Sequence, residues 1–171
     1  VPKIAFVNKM DRLGADFATT VQAIRGRLGA NPLPVVIPAG QGSAFEGVID
    51  LFTMKKLVFS QADEGQTVTE EDPGAFLEEA EAARQALLEG IADVDDAFME
   101  RYLEGEAGGL DEASIAEAKA ALRRAALQGR ATPVLAGSAL RNAGVQPVLD
   151  AVVDYLPSPL DMPPAKGLDA K

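Results

Sequence analysis

The 171-residue sequence contains no cysteine, no histidine and no tryptophan. Without these side chains the chain cannot form a disulfide, a Ser-His-Asp triad, a cysteine nucleophile or a metal site built on His or Cys. No Gly-Lys dipeptide occurs, so the phosphate-binding loop G-x-x-x-x-G-K-[ST] is absent from this sequence. No apolar run approaches the roughly 20 residues of a membrane helix, and no signal peptide is visible. The remaining composition, with 47% hydrophobic and 25% charged residues, is typical of a globular protein.

The charge is negative and unevenly distributed. The chain has 16 basic and 26 acidic residues, a net charge of −10, and residues 39–130 alone carry 8 basic and 20 acidic ones, a balance of −12. Such a chain binds nucleic acid poorly without a local basic site. We therefore expect any RNA contact to be local or made by parts that are not in this chain. The acidic block fits a partner with a basic surface.

The two ends of the chain alternate strand and helix. The strand candidates are Ile4–Val7, Leu33–Ile37 and Pro133–Ala136. A first helix is predicted between a cap at Asp16 and a stop at Gly29, with an apolar face of Phe17, Val21, Ile24 and Leu28. A closing helix is predicted with the face Val148, Leu149, Val152, Val153 and Leu156. This alternation predicts an α/β fold with a parallel sheet whose ligand-binding loops follow the strands.

The middle of the chain has a different pattern and predicts an inserted α+β subdomain. Two short strands, Val48–Leu51 and Met54–Phe59, are expected to form a hairpin. Three helical faces follow, formed by Phe76, Leu77, Ala80, Leu87, Leu88 and Ile91, by Phe98, Met99, Tyr102 and Leu103, and by Ile115, Ala118, Leu122 and Ala125. The acidic runs 70–72, 78–79 and 93–96 lack the spacing of a Ca²⁺ loop and are interpreted as solvated helix faces.

These patterns divide the chain into three parts. Residues 1–38 and 131–156 form a discontinuous α/β part, and residues 39–130 form the acidic insertion. The Pro-rich segment 157–171 is predicted to be a linker towards a following domain. Because the chain opens at Val1 directly on a strand with no initiating Met, we expect it to be a piece of a longer protein.

Asn8-Lys9-Met10-Asp11, directly after the first strand, is the sharpest chemical signal. A carboxylate accepts two hydrogen bonds side by side, which matches the N1–H and N2–H₂ donors of guanine and repels the acceptor that adenine has there. Asn8 could donate to guanine N7, and the Lys9 stem could lie along the base. The alternative is a polar turn in which Asn8 and Asp11 bond their own backbone.

Gly137-Ser138-Ala139 follows the other clear strand, so it is predicted to lie beside the first motif. There a backbone N–H of this loop could donate to guanine O6. The alternative is an ordinary helix start, with Ser138 as the cap before Leu140.

Several segments together resemble the elongation factor G family of translational GTPases. They are Val1–Asp11, Gly14–Asp16, Gly47–Leu51, Tyr102–Glu106, Gly137–Gln146 and Asp150–Pro164. The resemblance implies that Asn8, Lys9 and Asp11 recognise guanine with Ser138 and Ala139, and that Met10, Gly137 and Leu140 support the two loops. It also implies the C-terminal half of a P-loop GTPase domain, with GTP or GDP as ligand and Mg²⁺ ligands elsewhere in the parent protein.

The same resemblance implies a parent GTPase that moves tRNA and mRNA through the ribosome in the cytoplasm or an organellar matrix, with the insertion meeting the ribosomal stalk protein and with no membrane partner. The chain itself is expected to hold no catalytic and no metal-binding residue, and so to be inactive in hydrolysis. Two alternatives stay open. The parent could be a ribosome-recycling or non-hydrolysing relative, or the isolated chain could serve only as a protein-interaction module.

Overall fold

A computed structural model describes residues 1–161 of the chain. Three short strands, β1 (Ala5–Val7), β2 (Pro32–Pro34) and β7 (Thr132–Ala136), form a parallel sheet in the order β1-β7-β2. All five residues of the central strand β7 are buried, as expected for a strand covered on both faces. The predicted α/β fold with a parallel sheet is confirmed.

Helix α1 (Phe17–Leu28) connects β1 to β2, and its ends lie where the sequence predicts them. The Asp16 carboxylate accepts a hydrogen bond from the Thr19 amide at 2.9 Å, which satisfies one of the free N–H groups of the first turn. Gly29 ends the helix with φ 59°, a left-handed conformation that glycine adopts without steric penalty.

A second, antiparallel sheet has the order β3-β4-β5-β6. Its strands are β3 (Val36–Ala39), β4 (Gly47–Asp50), β5 (Lys55–Phe59) and β6 (Val68–Glu71). The predicted hairpin corresponds to β4 and β5. Helices α2 (Leu77–Ala92), α3 (Asp96–Leu103) and α4 (Glu112–Leu127) follow this sheet in the chain. Small buried residues on α4 allow close packing; they are Ala118, Ala121, Ala125 and Ala126.

The chain passes from one sheet to the other at Val35. The Val35 amide donates to the Val134 carbonyl in β7 at 2.9 Å, and the Val35 carbonyl accepts from the amide of Leu51, the residue that follows β4, at 3.0 Å. The single strand predicted over 33–37 is therefore wrong, because β2 and β3 belong to different sheets. The antiparallel sheet therefore begins at Val36, three residues before residue 39, where the sequence analysis placed the start of the acidic insertion.

Two further predictions are wrong. Glu70 and Glu71 lie on the exposed edge strand β6 rather than on a helix, since β6 shows no apolar alternation from which a strand could be predicted. The closing helix α5 (Val145–Tyr155) buries Ala151 and Tyr155, whereas Leu149 and Val153 of the predicted face are 63% and 77% exposed. This helix is apolar on several sides, so its periodicity does not select the buried one.

The chain leaves α5 in a turn at residues 158–161, where the Ser158 amide donates to the Asp161 carboxylate at 2.7 Å. The rest of the predicted linker, residues 162–171, lies outside the described residues. Within residues 1–161, no helix combines the length and the apolar character that a membrane crossing requires.

Candidate functional site

The two predicted loops lie side by side at the carboxyl ends of β1 and β7. These strands are parallel neighbours with Val7 opposite Ala136, so the chain leaves both at the same edge of the sheet. The Gly137 amide donates to the Val7 carbonyl at 3.1 Å, and the Met10 amide donates to the Gly137 carbonyl at 3.1 Å. The structure therefore brings together Asn8–Asp11 and Gly137–Leu140.

Asn8 joins the two loops through its side chain. Its Oδ1 accepts hydrogen bonds from the Lys9 amide at 2.8 Å and from the Ala139 amide at 2.9 Å. Because the oxygen is used twice, the side-chain NH₂ remains the group that can donate to a ligand. Lys9 is exposed and has φ 67°, which turns the chain sharply after Asn8. The local turn is present, but Asn8 also makes a bond across the fold.

The same bond occupies the predicted O6 donor, because the Ala139 amide points to Asn8 Oδ1 in this structure. A guanine O6 would have to replace that oxygen as the acceptor. The exchange swaps one amide-type acceptor for another, so the Asn8 oxygen has to move away from the Ala139 amide.

Asp11 supplies the carboxylate of the site. Its side chain is 12% exposed and lies with Oδ2 3.4 Å from the Arg141 Nε. The Ser138 hydroxyl has the largest effect and lowers the pKa of Asp11; the Arg141 and Arg12 guanidinium groups lower it further, while partial burial opposes them. The carboxylate is therefore ionised at neutral pH and acts only as an acceptor.

Ser138 is fully buried, and its hydroxyl makes no hydrogen bond of good geometry within residues 1–161. The backbone of Ser138 closes the second loop, since Ser138 and Ala143 exchange hydrogen bonds of 2.8 Å and 3.0 Å. The alternative interpretation is correct in that Ser138 precedes a helical turn, but its side chain does not cap that turn. The next three residues, Ala139–Arg141, form a single 3-10 turn to which Ser138 makes no side-chain cap bond.

The three supporting residues differ in how they are placed. Met10 is buried at 1% exposure, and its carbonyl accepts the Gly42 amide at 2.8 Å. Gly137 contacts Phe6 and the Ala143 carbonyl so closely that a Cβ would clash. Leu140 is 84% exposed and is the middle residue of the 3-10 turn Ala139–Arg141.

Sequence reasoning missed two residues at the site, Arg141 and Gly42. Arg141 is close to Asp11 only because the strands β1 and β7 are adjacent, and Gly42 reaches Met10 from the 3-10 turn Gly42–Ala44 of the other sheet. The sequence offered one signal for Arg141, because a basic residue three positions after Ser138 lies in the loop predicted to face Asp11. Among residues 1–161, no group of three or more acidic, His or Cys residues could hold a metal ion.

Comparison with known proteins defines the class. Residues 1–158 match the family model of the elongation factor Tu GTP binding domain, and the chain belongs to this family, which makes its α/β fold that of a translational GTPase domain. Among curated relatives, it is 52% identical to elongation factor G of Fervidobacterium nodosum over 99% of this chain and 24% of the relative, and 48% identical to elongation factor G of Thermotoga neapolitana over 98% and 23%. The resemblance to the elongation factor G family is thus confirmed.

A solved crystal structure of a protein from Thermus thermophilus shares the fold, with a TM-score of 0.76 and 30% identity over 94% of this chain and 23% of that one. The chain spans about a quarter of the length of the curated relatives it matches. The match therefore identifies the family of the domain.

Proposed function

We propose that this chain supplies the guanine-recognition part of an elongation factor G-type GTPase that promotes movement of tRNA and mRNA through the ribosome in the cytoplasm. The observation that carries the proposal is the pair of loops bridged by Asn8 and Ala139 with the ionised Asp11 beside them. A GTP-binding family match over residues 1–158 supports it.

Each residue has a defined task in this proposal. The two oxygens of Asp11 accept N1–H and N2–H₂ of guanine, and the Asn8 NH₂ donates to N7. The Ala139 amide donates to O6, and the Lys9 stem covers the base. The Ser138 side chain lowers the pKa of the Asp11 carboxyl, which is ionised at neutral pH.

This arrangement selects guanine because adenine would bind with a less favourable free energy. Adenine has no N1–H, so its ring nitrogen would face the Asp11 carboxylate acceptor to acceptor. A partly buried charge left without its donors loses about 1–3 kcal/mol or more, and sites built on such pairs discriminate strongly for this reason.

In this proposal, the residues that bind the phosphates and support hydrolysis are not in this chain. Hydrolysis requires a phosphate loop, a Mg²⁺ ion and a residue that orients water, and the sequence has no Gly-Lys dipeptide to form that loop. We therefore propose that the chain alone does not hydrolyse GTP. A ribosome-recycling or non-hydrolysing relative would carry the same base loops, so the proposal to be tested first is nucleotide binding.

Titration calorimetry with GDP tests the proposal on the protein encoded by the complete gene and on this chain alone. We expect tight binding by the complete protein, at least 100-fold weaker binding by the chain, and loss of binding in the complete protein with Asp11→Ala. Glu112→Ala, an exposed acidic residue remote from both loops in the sequence, is the matched control and should bind normally. No GDP binding by the complete protein, or normal binding by Asp11→Ala, would contradict the proposal.

A second function is supported by the charge of the insertion. Residues 39–130 carry the −12 balance, and the exposed carboxylates on α2 are Glu78, Glu79, Glu81 and Glu89. By contrast, Lys55 and Lys56 pair with acidic residues at the β6 edge. We propose that α2 contributes the acidic face on which the ribosomal stalk protein docks.

Charge reversal tests this docking. Glu78→Lys combined with Glu81→Lys should weaken binding of the purified stalk protein about tenfold or more at low salt, measured by fluorescence anisotropy. Asp150→Lys, an exposed acidic residue on α5 outside the insertion, is the control and should bind normally. Equal binding by the double variant and the unchanged chain would remove α2 from the interface.

A further inference from the structure

The antiparallel sheet reaches the second base loop through the connection between β5 and β6. We call residues 60–67 the hairpin loop and residues 137–144 the second base loop. The Gln61 side-chain NH₂ donates to the Arg141 carbonyl at 3.2 Å. Gln146, in helix α5, contacts both loops. Its side-chain NH₂ donates to the Gly65 carbonyl at 2.5 Å and to the Asn142 carbonyl at 3.3 Å.

Gly65 makes the contact between the two loops close. It is buried, has φ +81°, and a Cβ at this position would clash with the Asn142 carbonyl oxygen and crowd the Asn142 side chain. Only glycine combines this backbone conformation with this approach. The hairpin loop is itself well held, because the Gly65 amide donates to the Ser60 carbonyl at 2.7 Å and the Thr67 amide to Asp63 Oδ2 at 3.1 Å.

The contacts of the hairpin loop with Arg141 and Asn142 lie one helical turn after the Ala139 amide, the predicted donor to O6. The 3-10 turn that begins at Ala139 ends at Arg141, and its bonds run from the Arg141 amide to Ser138 and from the Asn142 amide to Ala139, both at 3.1 Å. A displacement of the Arg141–Asn142 backbone is therefore transmitted to Ala139 by two hydrogen bonds and by the covalent chain.

We infer that the hairpin loop positions the second base loop, so that Gly65 and Gln61 set the placement of the Ala139 amide against guanine O6. They are positioning residues and touch no nucleotide. This inference rests on the proposed function and assigns to the acidic insertion a part in base recognition that is separate from partner docking. Asp11 lies on the first base loop and meets the second only through Arg141 and Ser138, so its reading of N1–H and N2–H₂ is expected to depend on the hairpin loop much less than the reading of O6 does.

Two nucleotide analogues separate these readings. In 6-thio-GDP a weakly accepting sulfur replaces O6, while the donors that face Asp11 are kept. In inosine diphosphate the 2-amino donor is missing and O6 is kept. The preference for GDP over 6-thio-GDP thus reports on Ala139, and the preference for GDP over inosine diphosphate reports on Asp11.

The test uses the protein encoded by the complete gene and competition binding with the three nucleotides. Gly65→Ala should reduce the preference for GDP over 6-thio-GDP about fivefold, the size of one neutral hydrogen bond, and leave the preference over inosine diphosphate within about twofold. Gln61→Ala, a change of an exposed side chain that does not threaten folding, should act in the same direction by about twofold.

Gly74→Ala is the matched control, because Gly74 also has a positive φ of +58° but has open space around it. It should change neither preference. Unchanged preferences in both Gly65→Ala and Gln61→Ala, or an equal fall in both preferences, would overturn the inference while GDP binding by the unchanged protein upholds the proposed function. Absence of GDP binding by the unchanged protein would overturn both.

Discussion

Asn8 and Ala139 are 131 residues apart in the chain, and the Asn8 Oδ1 accepts the Ala139 amide hydrogen at 2.9 Å. This bond joins the loop after β1 to the loop after β7 and so brings the two halves of the proposed base site together from the two ends of the chain. Since Oδ1 also accepts from Lys9, one side chain contributes both to the turn of the first loop and to the link with the second.

Loss of the Asn8 oxygen should loosen the second loop. In Asn8→Ala we expect hydrogen exchange of the Ala139 amide to become about fivefold to tenfold faster, the effect of one hydrogen bond, measured by NMR on the chain. Asn8→Asp keeps an oxygen in place and should preserve the protection, although it removes the donor for guanine N7. Equal exchange rates in Asn8→Ala and the unchanged chain would show that the bridge does not form in solution.

Asp11 should titrate below the ordinary Asp value of 3.8, with Ser138 as the main cause. Because the folded-state pKa is lowered, the stabilisation by its partners is present above that ordinary value and is lost as the pH falls through the folded pKa. Carboxyl-carbon NMR titrations should show the pKa raised most by Ser138→Ala, less by Arg141→Gln, and least by Arg12→Gln. A reversed order, with Arg12→Gln largest, would contradict the geometry of the site.

The elements that could be predicted from the sequence are those whose boundaries are determined by interactions between residues close together in the chain. The cap at Asp16 and the left-handed Gly29 mark α1 because each satisfies a backbone requirement on its own. The placement of the base loops was also predictable, since parallel strands bring their carboxyl ends to one edge. Contacts between distant parts, such as Gly65 against Asn142, left no local pattern to read.

Other features were hidden because the usual signals were missing. All four residues of β6 are exposed, so hydrophobic alternation could not reveal this strand. The change of sheet at Val35 was invisible in the sequence because the residues on both sides of it are apolar alike. The exposed Leu103 at the end of α3 fits the apolar pattern of that helix but not its packing.

Asp95 should stabilise the helices of the insertion. Its carboxylate is almost fully buried, caps α3 through the Phe98 amide at 2.9 Å, and binds Arg124 through two bonds of 2.8 Å and 2.9 Å. Because Arg124 is half exposed and screened by solvent, Asp95→Asn should lower the free energy of unfolding by about 1–2 kcal/mol. Asp95→Ala also removes the cap and should lower it by about 2–3 kcal/mol.

Urea denaturation measures both changes, with Asp111→Ala as the control, since Asp111 caps α4 from an exposed position. Arg124 has the largest effect in lowering the pKa of Asp95, so its stabilisation is present above the ordinary Asp value and disappears as the pH falls through the folded pKa. If Asp111→Ala destabilises the chain more than Asp95→Asn, the ion pair between Asp95 and Arg124 contributes less than we infer.

Arg84 connects three segments within residues 39–130. It donates to the carbonyls of Leu51 and Phe52 at 2.5 Å and 2.8 Å, and to those of Gly108 and Gly109 at 3.1 Å and 2.7 Å. A lysine ammonium cannot serve both pairs with one compact head group. We therefore expect Arg84→Lys to lower the free energy of unfolding by about 2 kcal/mol, and Arg84→Met by about 3 kcal/mol.

Thermal unfolding with calorimetric detection checks this prediction. Arg101→Lys is the matched control, because Arg101 forms an exposed ion pair with Glu117 and should change the stability by less than about 0.5 kcal/mol. Similar effects of Arg84→Lys and Arg101→Lys would show that the four carbonyl contacts do not hold the insertion together.

The most direct test of the account is an amide NMR titration of this chain with guanosine monophosphate and, separately, with adenosine monophosphate. We predict that the guanine nucleotide shifts the amide signals of residues 8–11 and 138–141 in a saturable way, and that the adenine nucleotide leaves them unchanged at the same concentration. Equal shifts with both nucleotides, or shifts confined to other parts of the chain, would contradict the assignment of these two loops as the guanine site.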